Sequence, residues 1–167
     1  ITYGIGLVAH GQNIVLRMKN FRPAGICLKD FQGDLRVSNL PNERRNRFLS
    51  AFEPRLAALP PGHLIHDLVT GHFLTVLRFV SASMQESENF PEARFYGILR
   101  DEIRSYLSAF PPAKPLVGDQ DLLGATLNRV LLNAVRFRIG YADLSARPLP
   151  ALGTALANPL HLVEASP

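Results

Sequence analysis

The sequence predicts an α+β fold, mostly helical, in which a small antiparallel β-meander at the N-terminus precedes a bundle of four to five helices. Three observations carry that prediction. Two short apolar runs rich in Val, Ile and Leu, residues 13–18 and 24–29, flank the turn-forming segment KNFRP. From Leu40 onward, apolar residues recur at helical spacing in successive stretches. Those stretches are separated by breaks, PPG at 60–62 and FPPAKPLVGD at 110–119.

In chain order, a first short strand is expected within 3–9. Strands over 13–18 and 24–29 follow, joined by a loop of about five residues as a hairpin or meander. Residues 40–59 place Phe48, Leu49, Phe52, Leu56 and Leu59 at helical spacing, with Asn42 as N-cap and an interruption at Pro54. HLIHDLVTGHFLTVLRFVSASM (63–84) is a long, apolar, buried helix. PEARFYGILRDEIRSYLSAF (91–110) is amphipathic, with Pro91 at its first position. A further helix is expected over 119–140, capped by Asp119 and stopped by Gly140. Beyond Ala146, Pro148, Pro150 and Pro159 predict an irregular tail. The organisation is then one domain over 1–167: a β-hairpin region carrying the site (1–40), a helical region (41–145) and the tail (146–167).

Composition narrows the function classes. A chain of 167 residues can bury a substantial core. Hydrophobic content of 47% with 19% charged residues argues against wholesale disorder. The net charge is +4, but the arginines alternate with Leu, Phe and Glu along helices. Solvated helix faces are expected rather than the dense basic stripe of a nucleic-acid binder. There is no run of about 18 apolar residues and no signal peptide, so neither a membrane partner nor export is expected. The one cysteine, Cys27, excludes an internal disulfide and cysteine-ligated zinc or iron–sulfur sites. A cytoplasmic setting follows, with Cys27, in the apolar GICL, as a buried structural thiol. The opening ITYGIG lacks Met and reads as the interior of a longer protein.

The polar residues of the β region carry the chemistry. With the turn centred near Phe21, Arg17 faces Gly25 and Asn13 faces Lys29, at Cα separations of about 4.5–5.5 Å. Asn13 and Asp30 then converge at the open end of the hairpin, and His10 and Gln12 arrive from the turn just before it. An amide oxygen and a carboxylate are hard ligands suited to Mg²⁺, which completes its shell with water and substrate phosphates. The arrangement predicts a Mg²⁺–nucleotide site at Asn13 and Asp30. His10, Gln12 and Asn13 would bind ATP, and His10, Gln12 and Lys29 an acidic substrate. Ordinary turn and cap roles for the same residues remain the alternative.

Two families share this logic. His10-Gly11, Asn13 and Asp30-Phe31 resemble the aminoglycoside and choline kinase group of phosphotransferases. In that group, however, an Asp between the His and the Asn accepts the hydroxyl proton, and here the interval holds only Gly11 and Gln12. The second resemblance covers most of the chain. Ala9, His10, Gln12, Asn13, then Lys29, Asp30 and Gly33, together with NPL at 158–160, are similar to the C-terminal region of synthetases that make siderophores independently of non-ribosomal peptide synthetases, the aerobactin synthetase group. Val8 stands where that family has Glu, which removes one carboxylate from the implied metal shell.

That resemblance implies an ATP-dependent ligase. It adenylates a citrate- or succinate-derived carboxylate, and an amine or hydroxyl then attacks the acyl-adenylate and releases AMP. HGQN is closer to the branch acting on carboxylates already joined to an amine. Bringing a carboxylate to the α-phosphate opposes two anions, and Mg²⁺, basic residues and amide donors offset that repulsion. The missing N-terminal domains would supply the phosphate-binding residues, so the fragment alone would be inactive. Without them it would expose an apolar face and self-associate as a homo-oligomer. A kinase-like phosphotransferase fragment and a non-catalytic helical interaction domain remain the alternatives.

The other candidates have plainer readings. His63, His66 and His72 lack metal-ligand spacing and are read as core or helix-surface histidines. Ferric reduction is set aside, because an iron–sulfur reductase needs several cysteines. Arg44, Arg45 and Arg47 are read as a solvated helix start that could otherwise face an anionic substrate. The charges from Arg100 to Arg104 are read as helix surface.

Overall fold

A computed structural model describes residues 2–29, 34–49, 58–111, 122–131 and 151–161. The α+β class holds, but the N-terminal strands do not form a meander. Strand β1 (Ile5–Leu7) pairs antiparallel with β4 (Leu35–Ser38), and β4 pairs in parallel with β5 (Ala58–Leu59). Strands β2 (Ile14–Lys19) and β3 (Arg22–Leu28) form a separate antiparallel hairpin, inserted in the chain between β1 and β4. Nothing local in the sequence reveals this, because the partner of β1 lies beyond the whole hairpin.

Within the hairpin the expected register is present. Arg17 lies opposite Gly25, and the Lys29 N–H donates to the Asn13 carbonyl at 3.1 Å. The turn is tighter than five residues. Lys19 pairs with Arg22, and only Asn20 and Phe21 lie between them, both at positive φ (51° and 60°). Such a turn matches the twist of its strands. The hairpin stands in solvent. Val15, Leu16, Met18, Ile26 and Leu28 are exposed, and Phe21 is 100% accessible. Cys27 is exposed too, correcting the buried-thiol expectation. Apolar neighbours in the sequence imply burial only if something packs on the strand, and among the described residues neither face of β3 is buried.

Helix α1 (Glu43–Leu49) starts as expected, with the Arg45 N–H donating to Asn42 Oδ1 at 2.9 Å. Leu59, assigned to a helix by spacing, lies in β5, and the interruption at Pro54 falls outside the described residues. Arg45 is buried, donating from Nη1 to the Ser38 carbonyl (2.8 Å) and from Nη2 to that of Leu40 (2.7 Å). It clamps α1 to the end of β4 instead of facing solvent or substrate. Gly4, at φ +63°, lies under this clamp, and a Cβ there would meet both Arg45 Nη1 and Ser38 Cβ at 2.9 Å.

Residues 61–88 form one continuous helical rod: α2 (Pro61–Leu68), a π-helical stretch (Val69–Leu77) and α3 (Arg78–Glu88). Burial is concentrated in its first half, at Leu64, Ile65, Val69, Thr70 and Gly71, and in α3 only Ser81 is buried. Helix α4 (Glu92–Ala109) begins after Pro91, which is its N-cap and not its first residue. Ser81 is buried at the α3–α4 contact, hydrogen-bonded to Glu92 Oε1 (2.9 Å) and the Tyr96 hydroxyl (3.1 Å).

The helix expected over 119–140 is corrected. Thr126–Leu131 is strand β6, paired antiparallel with β7 (Ala151–Ala157) in the segment expected to be irregular. The Leu and Val positions fit both periods, and pairing with a distant strand decided between them. The ALGTALA of β7 has little β-branched content to announce it. The proposed cap Asp119 and stop Gly140 lie outside the described residues. The described helices therefore form three rods and no four- to five-helix bundle. The core joins Ile65 and Val69 to Leu122 and Leu127, with Leu68, Phe73, Leu74 and Leu107 against it.

Candidate functional site

The polar cluster sits where the β2–β3 hairpin leaves the β1–β4 pair. Val8, just after β1, donates its N–H to the carbonyl of Asp34, just before β4, at 3.0 Å. Asn13 and Lys29 extend the hairpin ladder by one pair at its base. The two ladders are thus pinned side by side, and four chain segments converge on one point. The turn between Val8 and Asn13 is closed by the Asn13 N–H donating to the His10 carbonyl at 3.1 Å.

Asn13 is wholly buried. Its Nδ2 donates to the Val8 carbonyl (2.8 Å) and to Asp34 Oδ2 (3.2 Å). Both neighbours only accept, which fixes the orientation of the amide chemically. Its Oδ1 is buried and has no hydrogen-bond partner among the described residues. Leaving a buried acceptor unmet costs about 1–3 kcal/mol, so the atom marks a place where a donor or cation fits.

His10 lies beside it. The Gln12 N–H reaches His10 Nδ1 at 3.3 Å, which leaves Nε2 to carry the proton of the neutral ring, 3.6 Å from Asp34 Oδ2. Gln12 and Lys29 are exposed at the same base. Four of the five residues picked from sequence, His10, Gln12, Asn13 and Lys29, are therefore neighbours. Asp30 falls outside the described residues. The carboxylate that meets Asn13 is Asp34, which the sequence reading passed over, although DFQGD offered both acids at one hairpin end.

Two further contacts escaped the sequence reading. The π-helical stretch presses on the site turn. A Cβ on Gly71 would sit 2.8 Å from Val8 Cγ1, so glycine allows that approach, and His72 Nδ1 donates to the Ala9 carbonyl at 2.9 Å. Such stretches occur often at functional sites. Below it, Arg36 lies 3.7 Å from Asp67 of α2. Burial pushes the Asp67 carboxyl above its ordinary range, with nearby Asp34 adding to the shift and Arg36 and His63 opposing it. Burial, with His63 adding, lowers the His66 pKa. Among the described residues, no three His, Cys, Asp or Glu side chains are grouped to hold a metal. Asn13 Oδ1, held in place by the Asp34 carboxylate on its Nδ2, is a hard oxygen that suits Mg²⁺ as part of a shell that substrate and water complete.

Residues 1–145 match the family described as "Ferric iron reductase FhuF-like transporter". The chain is 37% identical over 158 residues to an aerobactin synthase of Vibrio mimicus, covering 95% of this chain and 27% of that protein. It is 40% identical over 169 residues to the Escherichia coli aerobactin synthase, covering 96% and 28%. The structure superposes on aerobactin synthetase IucC from a hypervirulent pathotype of Klebsiella pneumoniae with a TM-score of 0.76 at 36% identity, covering 96% of this chain and 27% of that one. The chain thus spans about a quarter of the length of the curated relatives it matches. It belongs to the FhuF-like family, as a C-terminal region of the aerobactin-synthetase type.

Proposed function

We propose that this chain is the nucleotide- and substrate-binding C-terminal domain of an ATP-dependent siderophore synthetase that works in the cytoplasm. The observation carrying the reading is Asn13: a wholly buried amide held by Val8 and Asp34, with Oδ1 unpartnered among the described residues. The names of the relatives support a ligase over a kinase. So does the absence of an Asp between His10 and Asn13. The word reductase in the family description is not carried over, because the one cysteine of this chain cannot ligate an iron–sulfur cluster.

In this reading, Asn13 Oδ1 and Asp30 hold Mg²⁺, with Asp34 against the amide. The ion supplies neutralisation of phosphate charge when an acyl-adenylate forms. His10, Gln12 and Asn13 bind the nucleotide, and His10, Gln12 and Lys29 the acid, a citrate- or succinate-derived carboxylate. Donors fixed before substrate arrives lower the cost of bringing two anions together. Val8 in place of Glu leaves more of the shell to water and phosphate. The remainder of the synthetase, most of the length of the relatives, supplies the other phosphate contacts and covers the apolar strip on β2–β3. The fragment alone is inactive, and that strip makes it self-associate.

The test is turnover by the full-length protein with ATP, Mg²⁺, a citrate- or succinate-derived acid and an amine. AMP and pyrophosphate are the expected products. Release of ADP would overturn the ligase reading.

A further inference from the structure

The orientation of Asn13 needs an agent. An amide side chain can rotate by 180° and exchange its oxygen and nitrogen, which would turn a ligand oxygen into a donor. Val8 O and Asp34 Oδ2 both face Nδ2, at 2.8 and 3.2 Å, and the flipped amide would set its oxygen against two acceptors. The Val8 carbonyl already accepts the His10 N–H at 3.0 Å, so Asp34 is the partner that the amide does not share with its own turn. Asp34 is itself fixed, because its carbonyl accepts the Val8 N–H at the last rung of the β1–β4 pairing. The same oxygen, Oδ2, lies 3.6 Å from His10 Nε2.

We propose that Asp34 is a positioning residue: its carboxylate oxygen locks the Asn13 amide with Oδ1 presented to the ligand and sets the His10 ring beside it. This rests on the synthetase reading and deepens it. Asp34 acts through Asn13 and His10, so the quantity it controls is how well the Mg²⁺-bound nucleotide is held. Outer-shell partners of this kind typically account for about 10–100-fold in metal affinity or activity.

The experiment uses the full-length synthetase and measures ATP affinity by calorimetry with and without Mg²⁺, together with the melting temperature. Asp34→Ala removes the acceptor and is expected to weaken Mg²⁺-dependent ATP binding about 10–100-fold, while Mg²⁺-free binding, which reads only the loss of His10 positioning, falls no more than about threefold. Asp34→Asn keeps an acceptor oxygen toward Asn13 and is expected to stay within about threefold of the wild type. A merely structural role predicts instead that Asp34→Ala lowers the melting temperature and both binding modes together, and that result overturns the proposal. Wild-type Mg²⁺-dependent affinity in Asp34→Ala, or Asn behaving like Ala, overturns it equally. If the wild-type protein shows no Mg²⁺-dependent ATP binding, the synthetase reading itself falls and takes this one with it.

Discussion

Two buried asparagines fasten two antiparallel strand pairs, and they differ in one atom. Asn158 follows β7, and its Nδ2 donates to the carbonyls of Leu122 (2.9 Å) and Gly124 (2.7 Å) while its Oδ1 accepts the Leu160 N–H (3.0 Å). Every polar atom of that side chain is used. Asn13, at the base of β2–β3, is equally well held through Nδ2, yet its Oδ1 has no partner among the described residues. A residue kept only for stability has no reason to carry an unmet acceptor inside the protein. The same residue type in a similar setting is thus fully satisfied at one end of the chain and, in the proposed reading, poised for a ligand at the other.

Substitution at each position can break that contrast. Asn13→Ala in the full-length synthetase is expected to lower AMP-forming turnover about 100-fold or more, as loss of a preorganised contact does. Its cost in stability should be only about 1–2 kcal/mol. If activity and stability fall in proportion, Asn13 is no different from Asn158. Asn158→Ala strands the buried Leu122 carbonyl, the half-buried Gly124 carbonyl and the buried Leu160 N–H, and urea unfolding should register about 2–3 kcal/mol of destabilisation. Turnover of whatever folds should be close to that of the wild type. A turnover defect in folded Asn158→Ala would put the β6–β7 pair in the site.

Gly71→Ala probes how the site turn is held from outside. The added methyl would meet Val8 Cγ1 at 2.8 Å, so either the π-helical stretch or the turn must move. Overpacking of this kind costs about 1–3 kcal/mol. We expect the lower half of that range, about 1–2, because the turn can shift, and we expect nucleotide affinity to fall with it. Unchanged affinity would mean that the turn holds its shape without the helix.

The same contrast explains what was legible in the sequence. The register of β2–β3 is local, so turn chemistry and strand alternation fixed Asn13 opposite Lys29. The motif that singled out His10 and Asn13 is local as well. Asp34 was missed because its significance depends on β1 pairing with β4 across the inserted hairpin. His72 was missed because its contact with Ala9 joins residues 63 positions apart. The β6–β7 pair was misread for the same reason: its leucines satisfy a helical period, and only a partner some twenty residues away makes them a strand.

The smallest expected effect concerns Cys27, where sequence and structure part most sharply. An apolar strand around a thiol suggests burial, and removing a buried thiol usually costs at least about 1 kcal/mol through lost packing. In the structure the side chain is exposed, opposite Val15, on a hairpin with no buried face. Cys27→Ser in the 167-residue chain should therefore change the unfolding free energy by less than about 0.5 kcal/mol, the range for surface substitutions. A larger loss would mean that β3 packs against something in the folded chain. The exposed strip would then no longer be a surface left for the rest of the synthetase.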